Sequence, residues 1–387
     1  MYQAESRGVS LLTGSLVLPV EIVSQPAQLD VAVQGMGGSR DIALDTESNS
    51  FDHYPEQICL IQIATRHKVY IIDTISLNEL DPLKEILVDD SIRKIIHGAD
   101  YDIRSLDRHY GFRIVNLFDT SIAARFTGIT QFGLAALTRD LLGITINKSK
   151  RLQRADWGRR PLSTEALEYA ATDVRHLLAL REILDQRLQT LGRTAWVAEE
   201  CVRIEEVRYA APNLETAYLS VKGAKDLDGR GLAVLQSLFL FREEEARRQH
   251  RPPFMVLPDA TLIFLATSHE ATLSEVPGLG QTGLKRFGQG LQQALHNGIT
   301  APPIHRPRLI KAVRASEKQV QRLTRLKEWR TSLGSRLSLD PSLLWPLTSL
   351  ERIAKAPDTL SVELASDEIR HWQRNVVASS LQACLSH

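Results

Sequence analysis

Two acidic residues stand two positions apart at the end of a short apolar run, Asp41-Ile-Ala-Leu-Asp45-Thr-Glu47. In a β-strand the side chains of Asp45 and Glu47 project from the same face, so both carboxylates could share one cation. Adjacent carboxylates repel each other unless a divalent metal neutralises them. The pair therefore indicates a metal site, although this motif alone fits a solvated strand end equally well.

A second acidic segment follows the apolar run 93–97, where Gly98 and Ala99 are expected to turn the chain into a helix. Asp100 stands at the start of that helix and is predicted to cap it by accepting a backbone N–H. Asp102, two positions further into the first turn, faces elsewhere and is the better candidate for a metal ligand.

Tyr169 and Asp173 form a third segment, four residues apart within a helical stretch. This spacing places the phenol and the carboxylate on one face of a helix, where together they could orient a water molecule. Taken alone, the pair is more typical of a core aromatic beside a surface charge.

The elements that must position these residues follow an α/β pattern in the first third of the chain. β-type runs are predicted at 41–45, 58–65, 68–72 and 94–97, with a helix at 77–87. Helical periodicity dominates afterwards, at 102–110, 120–126, 133–142 and 163–192. Pro212, Gly223 and Gly229 mark a domain boundary, beyond which the sequence is predicted to be all-helical.

The helical second half is predicted to contain a duplicated domain. Gly298, Pro302, Pro303 and Pro307 predict a linker at 297–307 that interrupts any helix. The sequences before and after this linker share three patterns. Residues 241–242 resemble 329–330, and residues 257–259 resemble 339–341. The spaced apolar residues 287, 291 and 295 resemble 372, 381 and 385. Two unrelated amphipathic bundles could share such patterns, which is the alternative.

The three acidic segments together resemble the DEDDy exonuclease superfamily in order and local sequence. Asp45-Thr-Glu47, His97-Gly-Ala-Asp-Tyr-Asp102 and Tyr169-Ala-Ala-Thr-Asp173 are similar to its three motifs. Phe118-Asp119-Thr120, Asp156-Trp157 and 160–163 narrow the resemblance to the ribonuclease D family.

The segment 231–297 resembles an HRDC domain, a helical module of the same family. The resemblance implies an α/β, ribonuclease H-like mixed-sheet exonuclease domain at 1–212, an HRDC domain at 224–300 and a divergent HRDC-like domain at 308–387.

The resemblance also implies a chemistry. Asp45, Glu47 and Asp173 would surround one Mg²⁺ or Mn²⁺, Asp45 would bridge to a second ion near Asp102, and Tyr169 would hold the attacking water. The expected reaction is 3′-to-5′ hydrolysis of RNA with a free 3′ end, such as tRNA precursors, releasing 5′-nucleoside monophosphates. A DNA exonuclease of repair and a nucleic-acid-binding scaffold are the alternatives.

Several residues near these motifs are expected to be structural. His97 ends an apolar strand and is predicted to be a packed, hydrogen-bonded histidine, while Asp119 precedes a helix and is predicted to cap it. Trp157 is expected to pack beneath its loop. The glycines at 35–38 precede a strand and open no helix, so they predict a loop and not a phosphate-binding turn.

Basic residues are concentrated in three places that could contact RNA. The loop 147–160 holds six basic residues and one acid, and 306–336 holds ten basic residues against two acids. In the HRDC-like segment, a glycine-containing turn at 276–280 precedes two more. Solvated surface charge is the alternative for the first two groups, and a plain helix-connecting turn is the alternative for the third. The predicted RNA contacts are Lys148, Lys150, Arg151, Arg159, Arg160, Lys285 and Arg286.

Overall composition limits the class of protein. The 387 residues carry a formal net charge of +1, 43% of them are hydrophobic, and no apolar run approaches the length of about 20 residues that a membrane span needs. Cys59, Cys201 and Cys384 are too dispersed for a metal knuckle or a disulfide framework, so they are expected to be apolar fillers in a reducing compartment. These features predict a cytoplasmic monomer without membrane contact or organic cofactor.

Overall fold

A six-stranded mixed sheet forms the centre of the first half of the chain. The computed structural model describes residues 18–147, 149–268, 272–306 and 315–386. The strand order is β1-β4-β3-β2-β5-β6, and β3 runs antiparallel to both of its neighbours while the other pairs are parallel. The strands are β1 (Val20–Val23), β2 (Asp41–Ser48), β3 (Ile58–Ala64), β4 (Val69–Asp73), β5 (Arg93–Ile96) and β6 (Leu117–Asp119).

Nine helices accompany the sheet within the described residues up to Glu205. They are α1 (Pro26–Gly37), α2 (Asp81–Val88), α3 (Asp100–Tyr110), α4 (Thr120–Phe126), α5 (Leu134–Leu137), α6 (Lys150–Gln153), α7 (Thr164–Arg175), α8 (Leu177–Leu191) and α9 (Thr194–Glu205). A π-helical turn at Thr138–Leu142 extends α5. Every residue of β3 and β4 is buried because helices cover the sheet, which explains why these strands are continuous apolar runs in the sequence.

The predicted α/β pattern is confirmed, and so is the mixed-sheet fold class. β2 to β5 lie where the sequence places them, within two or three residues at each end. β1 and β6 were not predicted. They have four and three residues, too few for a period-two pattern to emerge from a single sequence.

The prediction that Asp100 caps α3 is wrong. Ala99 occupies the capping position in a helical conformation, and Asp100 is the first helical residue. Its exposed carboxylate pairs instead with Arg104, one turn along the same helix, at 2.8 Å. The backbone N–H groups of Gly98 and Ala99, just before the helix, are bound by the side chain of Asp119.

Two helical bundles follow the sheet domain, and their elements repeat at a constant interval of 88 residues. The first contains α11 (Gly229–Gln249), α12 (Pro253–Val256) and α13 (Asp259–Thr267), after the short α10 (Leu214–Ala217). The second contains α15 (Glu317–Leu337), α16 (Pro341–Leu344) and α17 (Leu347–Lys355), which have the same lengths of 21, 4 and 9 residues. The first bundle ends with α14 (Gly280–Thr300), and the second with α18 (Leu360–Ala365) and α19 (His371–Ser386).

Matching side-chain contacts support the duplication. Arg242 donates to the carbonyl of Leu257 at 3.2 Å, and Arg330, 88 residues later, donates to that of Trp345 at 3.0 Å. The predicted pairing of 241–242 with 329–330 therefore agrees with the structure. The pairing of 257–259 with 339–341 is wrong by six residues, because Pro258 and Pro346 are the residues that precede α13 and α17.

The predicted linker begins later than residue 297. α14 continues to Thr300, so Gly298 lies inside the helix. A β-carbon on Gly298 would lie 2.5 Å from the Cα atom of Val234 in α11. This glycine therefore permits the close approach of two helices. In the sequence alone, it has the same appearance as a glycine that ends a helix.

The two bundles relate differently to the sheet domain. The first bundle has its own hydrophobic core, built from residues between Tyr218 and Leu295. The core of the second is continuous with that of the sheet domain. At the junction, the rings of Trp196 and Trp372 stack at 4.9 Å, and the ring of Phe126 meets Trp372 edge-on at 5.3 Å.

Within the described parts of the chain, no helix has both the length and the apolar character that a membrane span requires.

Candidate active site

Three carboxylates converge where β2 passes beneath α7. The ligand atoms of Asp45, Glu47 and Asp173 all lie within 4.8 Å of one another. Asp45 and Glu47 occupy alternate positions of β2, whose pairing with β3 shifts by one residue directly after Glu47. The structure thus brings together three of the four predicted metal ligands, from two elements that are more than 110 residues apart in sequence.

This arrangement is unfavourable unless positive charge enters it. Two unit charges about 4 Å apart repel by roughly 4 kcal/mol at an effective dielectric of about 20, which is typical of sites near a protein surface. Asp173 is buried and its two partners are half-buried, so water screens them incompletely. Three oxygen donors at this spacing suit a hard divalent cation such as Mg²⁺ or Mn²⁺.

Asp102 lies next to this cluster but outside it. Its carboxylate is buried and accepts a hydrogen bond from the hydroxyl of Thr46, the residue between Asp45 and Glu47, at 2.5 Å. Burial raises the pKa of Asp102 well above its usual range, and the charge of Asp119 raises it further. A buried carboxylate in this state is a good ligand for an entering cation, which would offset its desolvation.

Asp119 and His97 have the structural roles predicted for them. Asp119 caps α4 by accepting the N–H groups of Ser121 at 2.7 Å and Ile122 at 3.2 Å. The same carboxylate accepts the N–H groups of Gly98 at 3.1 Å and Ala99 at 2.8 Å, so it also fixes the turn that leads to Asp102. His97 hydrogen-bonds Thr120 through Nδ1 at 2.9 Å.

Tyr169 projects from α7, one turn before Asp173. Burial raises the pKa of its phenol above the usual value near 10, and the nearby charges of Asp173 and Glu47 add to the shift. Tyr169 therefore remains protonated at neutral pH. Its ring lies 6.1 Å from that of Trp157, which is fully buried beneath the loop as predicted.

Comparison with known proteins places this site in a family. The sequence model of a 3′-5′ exonuclease family matches residues 20–189, and that of the HRDC domain matches residues 231–295. The chain is 31% identical to ribonuclease D of Desulfotalea psychrophila over 317 residues, which are 81% of this chain and 84% of that protein. The chain belongs to the ribonuclease D family. It is therefore a 3′-to-5′ exoribonuclease that uses divalent metal ions.

Solved structures agree with this assignment at the level of the fold. Ribonuclease D of Escherichia coli superposes with a TM-score of 0.72 over 95% of this chain and 99% of that one, at 24% identity. The catalytic core of RRP6 from Trypanosoma brucei superposes with a TM-score of 0.66 over 74% of this chain and 81% of that one, at 26% identity. The ribonuclease D fold thus extends over both helical bundles of the chain.

One residue beside the carboxylates was missed by reading the sequence. Gln62 pairs with Asp45 across β2 and β3, so the two side chains share a face of the sheet. The Gln62 side chain is fully buried, and neither its Oε1 nor its Nε2 hydrogen-bonds another residue that the structure describes. A buried amide without partners costs about 1–3 kcal/mol, which suggests that its partners arrive with the metal or its water. The sequence feature that could have identified Gln62 is a polar residue inside an otherwise apolar strand.

An exposed aromatic side chain near the site was also missed. Phe51 lies on the loop that follows Glu47, and the guanidinium of Arg154 lies 5.9 Å from the centre of its ring. An exposed aromatic ring beside an arginine can stack on a nucleic-acid base. Its position four residues after the acidic motif that ends at Glu47 does not indicate such a contact in the sequence.

The predicted RNA contacts differ in their surroundings. Lys150, Arg151 and Arg159 are exposed, and Arg151 pairs with Glu165 at 2.5 Å. Arg160 is instead held by the buried carboxylate of Asp73, through two contacts of 2.6 Å. Lys148 lies outside the described residues.

In the HRDC domain, Lys285 and Arg286 are exposed on α14, directly after the turn at 276–280. Gly278 and Gly280 of that turn have φ angles of +80° and +56°, a backbone conformation that favours glycine.

Replacing Asp102 by asparagine should stabilise the metal-free protein and abolish its activity. An acid whose pKa is raised by folding destabilises the folded state as the pH rises from its unfolded pKa to the raised one, because the unfolded chain ionises before the buried group does. In EDTA at pH 8, Asp102→Asn should raise the melting temperature by about 3 °C or more, and by much less at pH 5. Differential scanning fluorimetry measures this, with the exposed Asp100→Asn as control. A lower melting temperature at pH 8 would contradict the analysis.

Replacing Gln62 by leucine should separate stability from catalysis. Leucine removes the unpartnered amide at similar volume, so the metal-free protein should be as stable as the wild type or more stable. Loss of an orienting group should lower kcat about 10-fold or more. Ile61→Leu on the same strand is the control and should retain activity. An unchanged kcat in Gln62→Leu would show that the amide is irrelevant to the reaction.

Proposed function

We propose that this enzyme hydrolyses the 3′-terminal phosphodiester of RNA at a site formed by Asp45, Glu47, Asp102, Asp173 and Tyr169. The observation that carries the proposal is the convergence of three carboxylate ligands within 4.8 Å, beside a buried fourth carboxylate and a protonated tyrosine. The family supplies the polarity and the class of reaction. The expected products are 5′-nucleoside monophosphates.

Two divalent cations, Mg²⁺ or Mn²⁺, would supply a hydroxide-like nucleophile near neutral pH and stabilise the leaving 3′ oxygen. Asp45, Glu47 and Asp173 would hold one ion, while Asp45 and Asp102 would hold the other. Tyr169 would keep its proton and orient the attacking water through a hydrogen bond. Gln62 would hydrogen-bond the Asp45 carboxylate or water at that carboxylate from the floor of the site.

We infer that the substrate enters as a single strand. Phe51 would stack on a base near the 3′ end, and Lys150, Arg151 and Arg159, with Lys148, would contact phosphates. Lys285 and Arg286 of the HRDC domain would hold RNA further from the cleft. A tRNA precursor with a 3′ extension presents both a single-stranded end and a structured body, so it fits this distribution.

We further infer a monomeric enzyme of three domains at 1–212, 224–300 and 308–387. The separate core of the first bundle supports the middle division, and its inclusion of Tyr218 and Val221 favours a start a few residues before 224. The three cysteines are free thiols, which fits a reducing compartment such as the cytoplasm.

A nuclease assay tests the proposed site. With 5′-labelled RNA, the wild type should shorten the strand from its 3′ end in Mg²⁺ or Mn²⁺ and stop in EDTA. Asp45→Asn should be inactive. Tyr169→Phe should lower kcat about 100-fold, with little change in KM, because it loses one hydrogen bond to the attacking water.

The matched control is Tyr218→Phe, which removes a buried hydroxyl from the core of the first bundle and should retain full activity. Full activity of Asp45→Asn would refute the catalytic assignment. Faster hydrolysis of DNA than of RNA with the same sequence would instead favour a DNA exonuclease.

Two neighbouring arginines should respond differently to replacement by glutamine. Arg159→Gln removes an exposed charge, so it should raise KM for RNA several-fold and reduce the salt dependence of binding by about 0.7 in log–log slope. Its melting temperature should not change. Arg160→Gln leaves the buried carboxylate of Asp73 without its ion-pair partner, with hydrogen bonds only from Ile75 and Ser76 among the described residues, so it should cost about 3 kcal/mol of stability. Chemical denaturation and steady-state kinetics across salt concentrations measure both. If both variants changed KM and the free energy of unfolding to the same extent, the assignment of Arg159 to RNA binding and of Arg160 to stability would be wrong.

A further inference from the structure

A polar cavity lies at one end of β2, and the carboxylate cluster lies at the other end. It has a volume of about 730 Å³ and is lined by residues from α1, β2, β5, α8 and the turn between β3 and β4. Its basic residues are Arg40, Arg66, His67, Arg93 and Arg181. Because the β3–β4 turn lies beside the start of β2, four separate segments of sequence deliver these side chains to one place.

The acidic residues of this cavity neutralise only part of its charge. Asp41 accepts two hydrogen bonds from Arg181, at 2.9 and 3.2 Å. Arg66 pairs with Glu182 of α8. Asp185 also lines the cavity. Four arginines and His67 therefore face three carboxylates.

Two of the arginines retain donors for a ligand. The ion contacts of Arg93 are long, 3.9 Å to Asp41 and 4.0 Å to Asp185. Arg40 is exposed, and its side chain makes no hydrogen bond to a residue in the described ranges. Its backbone carbonyl accepts the N–H of Arg93 at 2.9 Å, which holds the two residues side by side. Forked guanidinium groups at this spacing match the oxygens of a phosphate.

The position of the cavity relates it to the path of the substrate. Asp41 of the cavity and Asp45 of the cluster are four residues apart on β2, a distance of about 13 Å. α7 and α8, which carry Asp173 and Arg181, cross the same side of the sheet and join the two places. The β2 residues between the two places are fully buried, so a strand that reaches both must pass over the surface. A stacked strand advances about 3.4 Å per nucleotide, so this takes about four nucleotides or more from the reacting phosphate.

From this geometry we infer that the cavity is a second phosphate-binding site, which grips the RNA backbone about four or more nucleotides upstream of the 3′ end. The inference rests on the proposed function, because it takes the substrate to be RNA whose 3′ end lies at the carboxylate cluster. The site is a determinant of substrate length and takes no part in the chemistry. RNA of four nucleotides or fewer occupies the cluster alone, whereas longer RNA also engages the arginines.

Hydrolysis of RNAs with 4 and 12 nucleotides by the full chain tests this inference. In Arg40→Gln/Arg66→Gln, both replaced side chains are exposed, so the fold should be retained. KM for the 12-mer should rise at least three-fold relative to the wild type, and the salt dependence of its binding should weaken by about 1 in log–log slope. Kinetic constants for the 4-mer should not change.

The matched control is Arg113→Gln/Arg187→Gln, which removes two exposed positive charges that do not line the cavity. An unchanged KM for the 12-mer in the cavity variant, or an equal rise in the control, would overturn the inference. Loss of adenosine monophosphate binding in the cavity variant, without any change for the 12-mer, would also overturn it, since a free nucleotide would then be the ligand. The proposed function would survive these results, because the 4-mer reports on it separately.

Discussion

Repulsion among carboxylates is the constraint on which the first half of the chain depends. Asp45, Glu47 and Asp173 are held within 4.8 Å, and Asp102 is buried beside them. Folding must oppose this repulsion before any cation arrives, so the elements that carry the acids are fixed by strong packing. β3 is fully buried beneath α7, and Asp119 ties the start of α3 to the start of α4. The rigidity that the site needs thus comes from the centre of the sheet.

The acidic cluster could be predicted from the sequence because it depends on residue types at local spacings. The two-residue interval in β2 and the four-residue interval in α7 determine which face each side chain occupies, whatever the rest of the fold does. The resemblance to a family added the order of the motifs, which no single interval contains. Together they selected the three carboxylates that the structure brings together, and Tyr169 one turn before Asp173 remains a prediction.

Contacts between distant segments could not be predicted in this way. Gln62 lies near Asp45 only because of the register between β2 and β3, and the sequence shows merely a polar residue in an apolar run. Asp100 fits a capping position by local rules, yet the neighbouring N–H groups are bound by Asp119 from another strand. The same limit applies to Arg160. In the sequence it is one of several basic residues in a loop, and the structure shows that it pairs with Asp73.

The two helical bundles show how one pattern of helices can serve two positions. Both repeat helices of 21, 4 and 9 residues, with an arginine that binds the carbonyl before the third helix. The second bundle has joined the core of the sheet domain through Trp372, which packs against Trp196 and Phe126. The first bundle keeps a separate core and contacts the sheet domain through the loop after Glu47, where Tyr54 donates a hydrogen bond to Glu243 at 2.5 Å and His53 stacks on His250. Since that loop follows Glu47, the first bundle contacts the segment that carries one of the three clustered acids, whereas the core of the second bundle is an extension of the core of the sheet domain.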